Sequence, residues 1–360
     1  MQTHFLWDPL VVLWFSITVI FILIIGKSIL IPIVIALLLA FFLRPAARKL
    51  ESWRWPRALA HVLLIISLII GVLALVGVLS FAFRSFILDI PQYATTITSN
   101  IDAVQAWITR IGGVSGADQT IWIKENLNLL EIGASNAGRI FGATANTVAM
   151  GSLVFIYTFF FLYYRTKFKN FLAQSIGKKR KDAVERMTTK ISRVMPSYLT
   201  GVSLVVLIMS VLNSLGFWII GVHSPIFFGI LAAVLNVIPY IGTAIGFGLV
   251  VVFTLLTQSI PAALLVIAMF LVIQFIDNNI LTPNIAAGQI NVNPLAAIVG
   301  IILGGVIWGI TGMIIAIPIL GIIKIVCDNI EGLESFGYLI GTEGNEKKEL
   351  DVPFSNHKVS

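Results

Sequence analysis

Long apolar runs separated by short charged stretches dominate the chain. Apolar residues fill 9–26, 28–43, 58–83, 146–164, 197–221, 225–256, 260–283 and 294–324 with few interruptions. Most of these runs approach or exceed the roughly 20 residues that an α-helix needs to cross a bilayer. They are apolar all round rather than along one stripe, which is the pattern of a helix buried in lipid or among other helices. The pattern predicts eight membrane segments. The second, at about 16 residues, falls short of a hydrocarbon core about 30 Å thick. It either tilts little, sits where the bilayer thins, or forms half of a hairpin with the first. Composition agrees: 58% of residues are hydrophobic and 11% charged, against about 25% charged in a soluble domain. The expected fold is an all-α polytopic membrane protein.

Charge sets the expected orientation. The loop after the second segment holds Arg44, Arg48, Lys49, Arg54 and Arg57 against Glu51. The loop after the fourth holds ten Lys and Arg between Arg165 and Arg193 against Asp182 and Glu185. Positive loops stay in the cytoplasm. The stretch 84–145 has four basic and five acidic residues and is expected outside. Eight spans then place both termini inside. The net charge of +7 therefore reads as a topology signal and not as a nucleic-acid surface. The first run lacks the basic start and small-residue cleavage site of a signal peptide, so it reads as a retained helix.

These features divide the chain into five parts: helices one to three (1–83), an extracytoplasmic helical insert (84–145), helix four with a basic cytoplasmic connector (146–196), a core of helices five to eight (197–324) and a polar cytoplasmic tail (325–360). In the insert, Ile97, Ile101, Val104, Ile108 and Ile111 recur at spacings of four and three, the seam of an amphipathic helix. That seam packs either on the membrane surface or the chain's own transmembrane helices, or on another subunit. The basic connector reads as an orientation signal that is also attracted to anionic lipid.

The candidate chemistry lies in the core. Between Arg193 and Lys324 the only charged residue is Asp277. A lone carboxylate in a membrane segment costs roughly 2.5–3.5 kcal/mol on insertion scales. It faces a cavity, an ion or a partner, or else it caps its helix at the interface. Gln274, Asp277 and Asn278 are related by three and four residues, one face of a helix, with Asn279, Thr282 and Pro283 following. In the sixth segment, Asn236, Pro239, Tyr240 and Gly242 interrupt the apolar run. A proline there frees backbone carbonyls that lipid cannot satisfy, and transporters build sites at such breaks. The alternative is a kink that aids packing. Gly300/Gly304 and Gly305/Gly309 in the eighth segment read as small-xxx-small packing pairs.

Other chemistries are disfavoured. The chain has no phosphate-binding Gly-rich loop ending in Lys-Ser/Thr, no His-Glu-x-x-His motif and no nucleophile elbow. Its four His are scattered, and Cys327 has no second Cys to pair with. No enzyme activity, metal or cofactor is expected.

The segments LNVIPYIG (235–242), QFIDNNILTPNI (274–285), NPL (293–295) and GGVIWGITGMIIAIPI (304–319) resemble the autoinducer-2 exporter family of bacterial transporters, and the order of spans and loops is similar along nearly the whole chain. The resemblance implies export of a signalling molecule or sodium(lithium)/proton antiport, a homo-oligomer, with pentamers as its form, and the bacterial inner membrane. Asp277 matches a usually acidic position of the family, while Thr243 stands where Pro is common and Asn278 where Gly is frequent. The expectation is a secondary transporter coupled to a cation or proton, with Asn236, Tyr240, Gln274, Asp277 and Asn278 lining its path and Asn279 beside them. The alternatives are a cation/proton antiporter with Asp277 as exchange site and an oligomeric scaffold or passive pore.

Overall fold

A computed structural model describes residues 9–93, 95–100, 106, 109–110, 145–175, 181–238, 241–286, 290–330 and 332–342. Among them there is helix and no strand. The helices are α1 (Pro9–Ile25), α2 (Lys27–Ser52), α3 (Arg57–Asp89), α4 (Ala145–Tyr163), α5 (Arg165–Ser175), α6 (Lys181–Ile220), α7 (Pro225–Leu235), α8 (Ile241–Thr257), α9 (Ile260–Ile276), α10 (Pro294–Cys327) and α11 (Glu334–Ile340). A single 3-10 turn, Ile90–Tyr93, follows α3, and a π-helical stretch, Asp277–Ala286, continues α9. Among the described residues, five stretches are long and apolar enough to cross a membrane: Lys27–Ser52, Arg57–Tyr93, Asp182–Ile220, Ile260–Ile285 and Pro294–Cys327. The described residues fall into two compact units, one within Met1–Phe171 and Ser192–Gln289, the other within Leu172–Ile191 and Ile290–Ser360.

In the first unit, α2, α3 and α4 pack side by side. Small residues on α2 allow the approach, and Ala36 and Ala47 are fully buried. The Thr158 hydroxyl of α4 donates to the Val154 carbonyl of its own helix at 2.7 Å and lies 3.4 Å from the Ala36 carbonyl of α2. The short bond satisfies the hydroxyl within α4, so it costs nothing to bury at the seam. Ala40, Leu43, Leu64, Ile65 and Leu162 complete this core. The far end of α3 brings Phe83 and Phe86 against Phe227, Phe228 and Phe253, with ring centroids 4.8–5.5 Å apart among them. Beyond these seams α1 and α3 present exposed apolar side chains, including Trp14, Phe15, Leu73 and Phe81, as helices in contact with lipid do.

The first two segments do not form a hairpin. The Gly26 N–H donates to the Ile22 carbonyl and the Leu30 N–H to the Gly26 carbonyl, both at 2.8 Å. Helical hydrogen bonding therefore runs through Gly26, and α1 extends α2. Nor is α2 short: it continues through Arg44 and Pro45 to Ser52, so its length no longer conflicts with the bilayer. The apolar stretch 9–43 would measure about 52 Å as a straight rod, more than a hydrocarbon core of about 30 Å. In a bilayer it must bend at Gly26 or lie partly along the interface.

The sixth segment is a second departure. It does not cross once with a kink; α7 and α8 fold back on each other. A Cβ on Gly246 would lie 3.0 Å from the Ala232 Cα, and Phe228 of α7 faces Phe253 of α8. The two ends of this hairpin meet: Gln258 Nε2 donates to the Gly221 carbonyl at 2.6 Å, and Asn100 Nδ2 to the Leu256 and Gln258 carbonyls at 3.1 and 3.2 Å.

The second unit repeats the device. Within α10 the backbone leaves the helical region at Trp308 (φ −129°, ψ 15°) and Gly309 (φ 62°, ψ −145°). The Gly309 conformation belongs to a region open essentially to glycine alone. The chain reverses there, so a Cβ on Gly304 or on Gly312 would strike the carbonyl of the other, and one on Gly305 would meet the Met313 side chain. The eighth segment is thus a hairpin of two arms. Gly300, Gly304 and Gly305 serve packing between those arms. Gly309 is the turn itself, and a Cβ there would meet nothing within 4 Å. At the open end, Asn293 Oδ1 accepts from the Ala296 N–H at 2.8 Å and Nδ2 donates to the Leu339 and Gly341 carbonyls, tying α11 to the start of α10.

Of the stretch 84–145, α3 takes the first residues by running to Asp89, and 95–100 is helical and includes Ile97. Ile101, Val104, Ile108 and Ile111 lie outside the described residues, as does the polar tail from 343 onward.

Candidate functional site

The site forms where α7 ends. The last residues of the arm close tightly: the Asn236 N–H donates to the Ala232 carbonyl at 3.0 Å, Val237 to Val234 at 3.2 Å and Ile238 to Leu235 at 2.9 Å. The shorter spacing of the last two bonds ends the helix. α8 restarts at Ile241. Gly242 is needed at this point because a Cβ there would collide with the Leu235 carbonyl. Asn236 is thereby held at the tip of the hairpin.

Asp277 meets it from α9. It ends the regular part of that helix and is buried, 4% exposed. The backbone then widens into π-helix through Pro283 to Ala286. This widening has a direct consequence. Residues five apart are brought to the same face in a π-helix, where an α-helix would swing them well apart. Thr282 therefore reaches back, and its hydroxyl donates to Asp277 Oδ1 at 2.8 Å. Asn236 Nδ2 donates to Asp277 Oδ2 at 2.9 Å. Behind it, the Thr243 hydroxyl of α8 donates to Asn236 Oδ1, which fixes which way the amide points. The result is a chain of hydrogen bonds, Thr243 to Asn236 to Asp277, closed from the other side by Thr282.

Both carboxylate oxygens accept hydrogen bonds, and both donors are neutral. None of the ion pairs among the described residues involves Asp277. A carboxylate offers about four lone-pair positions, so about half its capacity is open. The negative end of α7 also points here, partly offset by the start of α8. This arrangement suits a cation or a proton better than an anion.

The chain as a whole has known relatives. The sequence profile described as AI-2E family transporter matches residues 10–332. The chain belongs to the AI-2E transporter family. The AI-2 transport protein TqsA of Escherichia coli (strain K12) is 24% identical over 330 residues, 89% of this chain and 92% of that protein. YueF of Bacillus subtilis (strain 168), named a candidate transport protein, is 27% identical over 312 residues, 81% and 82% of the two chains. YrrI from the same organism is 34% identical over 128 residues, 36% of each chain. As a member of this family the chain is a multi-pass membrane protein with a transport role.

The residues expected to line a path in this AI-2E family member divide. Asn236 and Asp277 come together. Gln274 and Asn278 pair with each other instead, Gln274 Nε2 donating to Asn278 Oδ1 at 3.0 Å, and Asn278 is exposed while Asp277 is buried. Asp277 and Asn278 are adjacent in sequence and so point about 100° apart around the helix axis. Asn279 is exposed and donates to the Phe275 carbonyl of its own helix at 2.9 Å. Pro283 lies within the widened stretch, where it supplies no N–H. Pro239 and Tyr240 lie outside the described residues. Asp277 is also not a terminal cap, since helical backbone continues for nine residues beyond it. Because the sixth is a hairpin, α9 starts at the end where Asn100 lies, and Asp277 lies toward the opposite end.

Thr243 and Thr282 are noted in the sequence but not placed at the site by it. Threonines are common in membrane helices; the hairpin brings Thr243 to Asn236, and the π-helix brings Thr282 to Asp277. Asn213 of α6 was missed. It is 0% exposed, and neither its Nδ2 nor its Oδ1 has a hydrogen-bond partner.

Proposed function

We propose that this AI-2E family member is a secondary transporter that exports a small solute across the bacterial inner membrane, coupled to a cation or proton bound at Asp277. The observation that carries this reading is a buried carboxylate held by Asn236 and Thr282, two neutral donors, where two helices break. A structural carboxylate in lipid would be expected to pair with a basic residue. Neutral donors orient Asp277 without neutralising it, which leaves its charge for a mobile cation. Broken helices at depth are a recurring way to build such sites.

The name of TqsA makes autoinducer-2 the first cargo to try. Family resemblance adds a homo-oligomer, a pentamer in form. In this reading each hairpin, α7–α8 and α10, returns the chain to the side from which it entered, so the C-terminal tail is cytoplasmic.

The test uses inverted membrane vesicles containing the full chain and labelled autoinducer-2. Accumulation driven by an imposed proton or sodium gradient, abolished in Asp277→Asn, supports coupled export. Gradient-driven accumulation that Asp277→Asn leaves unchanged would remove Asp277 from the mechanism. A second reading, cation/proton exchange with no organic cargo, is favoured by the same unpaired carboxylate. It predicts cation-driven proton movement without accumulation of any solute.

A further inference from the structure

A second polar cluster lies far from Asp277 in sequence, at the junction of α2, α3 and α5. Glu51, near the end of α2, uses both carboxylate oxygens. Oε2 accepts from Arg165 Nη2 at 2.5 Å, and Oε1 lies 3.1 Å from Nε2 of the buried His61. That leaves donors over. Arg165 Nη1 and Arg44 Nε are shielded from water and have no hydrogen-bond partner. Guanidinium nitrogens only donate, so an acceptor must come from outside these residues. The charges of Arg48 and Arg165 also act on Arg44. With Glu51 already engaged, the group carries excess positive charge.

Its surroundings indicate where the acceptor comes from. Trp53, Trp55, Tyr163 and Tyr164 are exposed around the same helix ends. Exposed Trp and Tyr beside apolar spans mark the headgroup level of a bilayer. Lys49 lies over the Trp53 ring and Lys167 over Tyr164, 5.7 and 5.4 Å from the centroids. Basic pockets between membrane helices on the cytoplasmic side recognise anionic headgroups. Phosphate suits a guanidinium pair because its oxygens accept paired N–H bonds. Arg44 and Arg165 are each partly exposed on long stems, so rotation can turn the unpaired N–H groups toward a group docking from the membrane face.

We propose that Arg44, Arg48 and Arg165 form a phosphate-binding site at the cytoplasmic end of α2, filled by the headgroup of an anionic lipid. The site is independent of the transport reading, because none of its residues takes part in the Asp277 network. The ligand differs from a transported solute in that it stays bound in the purified protein.

The experiment is native mass spectrometry of the full chain released from detergent. The probes are dioleoyl-phosphatidylglycerol, dioleoyl-phosphatidylcholine and inorganic phosphate. Wild type is expected to retain phosphatidylglycerol over phosphatidylcholine, and Arg44→Gln to weaken that retention by about fivefold or more, the effect of one arginine at a charged membrane surface. Arg54→Gln removes the same charge from the same loop and is expected to leave retention unchanged. Arg48→Gln gives a second measure if Arg44→Gln assembles poorly. Displacement of the lipid by millimolar inorganic phosphate would assign the site to free phosphate and overturn the lipid assignment. Equal retention of both lipids, or equal loss in Arg44→Gln and Arg54→Gln, would overturn the site itself.

Discussion

Gly312→Ala separates a folded-back α10 from a straight one by the sign of its effect. In a straight α-helix, Gly304 and Gly312 would be about 12 Å apart along the axis. An alanine at 312 would then favour the helix by roughly 0.8–1 kcal/mol, the difference in propensity. In the hairpin, the added methyl meets the Gly304 carbonyl. That obstacle is backbone, which cannot rotate away as a side chain can, so the arms must separate. Overpacking of this kind costs roughly 1–3 kcal/mol. The two geometries thus differ by about 2–4 kcal/mol, well beyond the error of a folding measurement. Gly248→Ala is the reference, because a Cβ there meets nothing within 4 Å. The assay is reversible unfolding in mixed micelles at increasing denaturing detergent, read by tryptophan fluorescence. Gly312→Ala is expected to be less stable than wild type, and Gly248→Ala equal or more stable. An equal gain in both variants would refute the hairpin.

Three further outcomes follow from named contacts. Asn213→Leu replaces an amide that has no partner in the core, and is expected to raise stability by about 1–3 kcal/mol; a loss of stability would mean that the amide is satisfied by something that the packing does not show. Thr282→Val keeps the shape and removes the hydroxyl on Asp277, with an expected loss of about 1.5–3 kcal/mol for a hydrogen bond to a charged group, measurable in the same micelle assay; a change below a few tenths would refute the bond. Gly309→Ala places a side chain at φ 62° and ψ −145°, and is expected to cost about 1–3 kcal/mol, with no loss if the turn lies elsewhere.

Much of the architecture is legible in the sequence because lipid imposes a simple rule. Backbone polar groups must be satisfied within the membrane, so long apolar runs become helices, and the runs at 58–83 and 197–221 lie within α3 and, but for the last residue, α6. What apolarity does not encode is direction. A hairpin and a kinked span of the same residues have the same composition, and the distinction at 225–256 rests on Gly242 and Gly246, whose missing side chains let two backbones meet. At 294–324 it rests on one glycine, Gly309, placed among five others that look alike in sequence. The same limit applies at the site. Asp277 stood out because it is the one charge in a long neutral stretch, and Asn236 because it interrupts an apolar run beside a proline. Gln274 and Asn278 were grouped with Asp277 by helical spacing, but they bond to each other and leave Asp277 to Asn236. The π-helix that begins at Asp277 brings in Thr282.

The central claim is that the Asp277 carboxylate carries the coupling ion. The most direct measurement is accumulation of labelled autoinducer-2 in inverted vesicles under an imposed proton or sodium gradient, for wild type beside Asp277→Asn. The substitution keeps the shape of the side chain and removes the charge that Asn236 and Thr282 orient. The account predicts gradient-driven accumulation in wild type that is lost in the variant, with both proteins assembled equally. Undiminished accumulation in Asp277→Asn would contradict it.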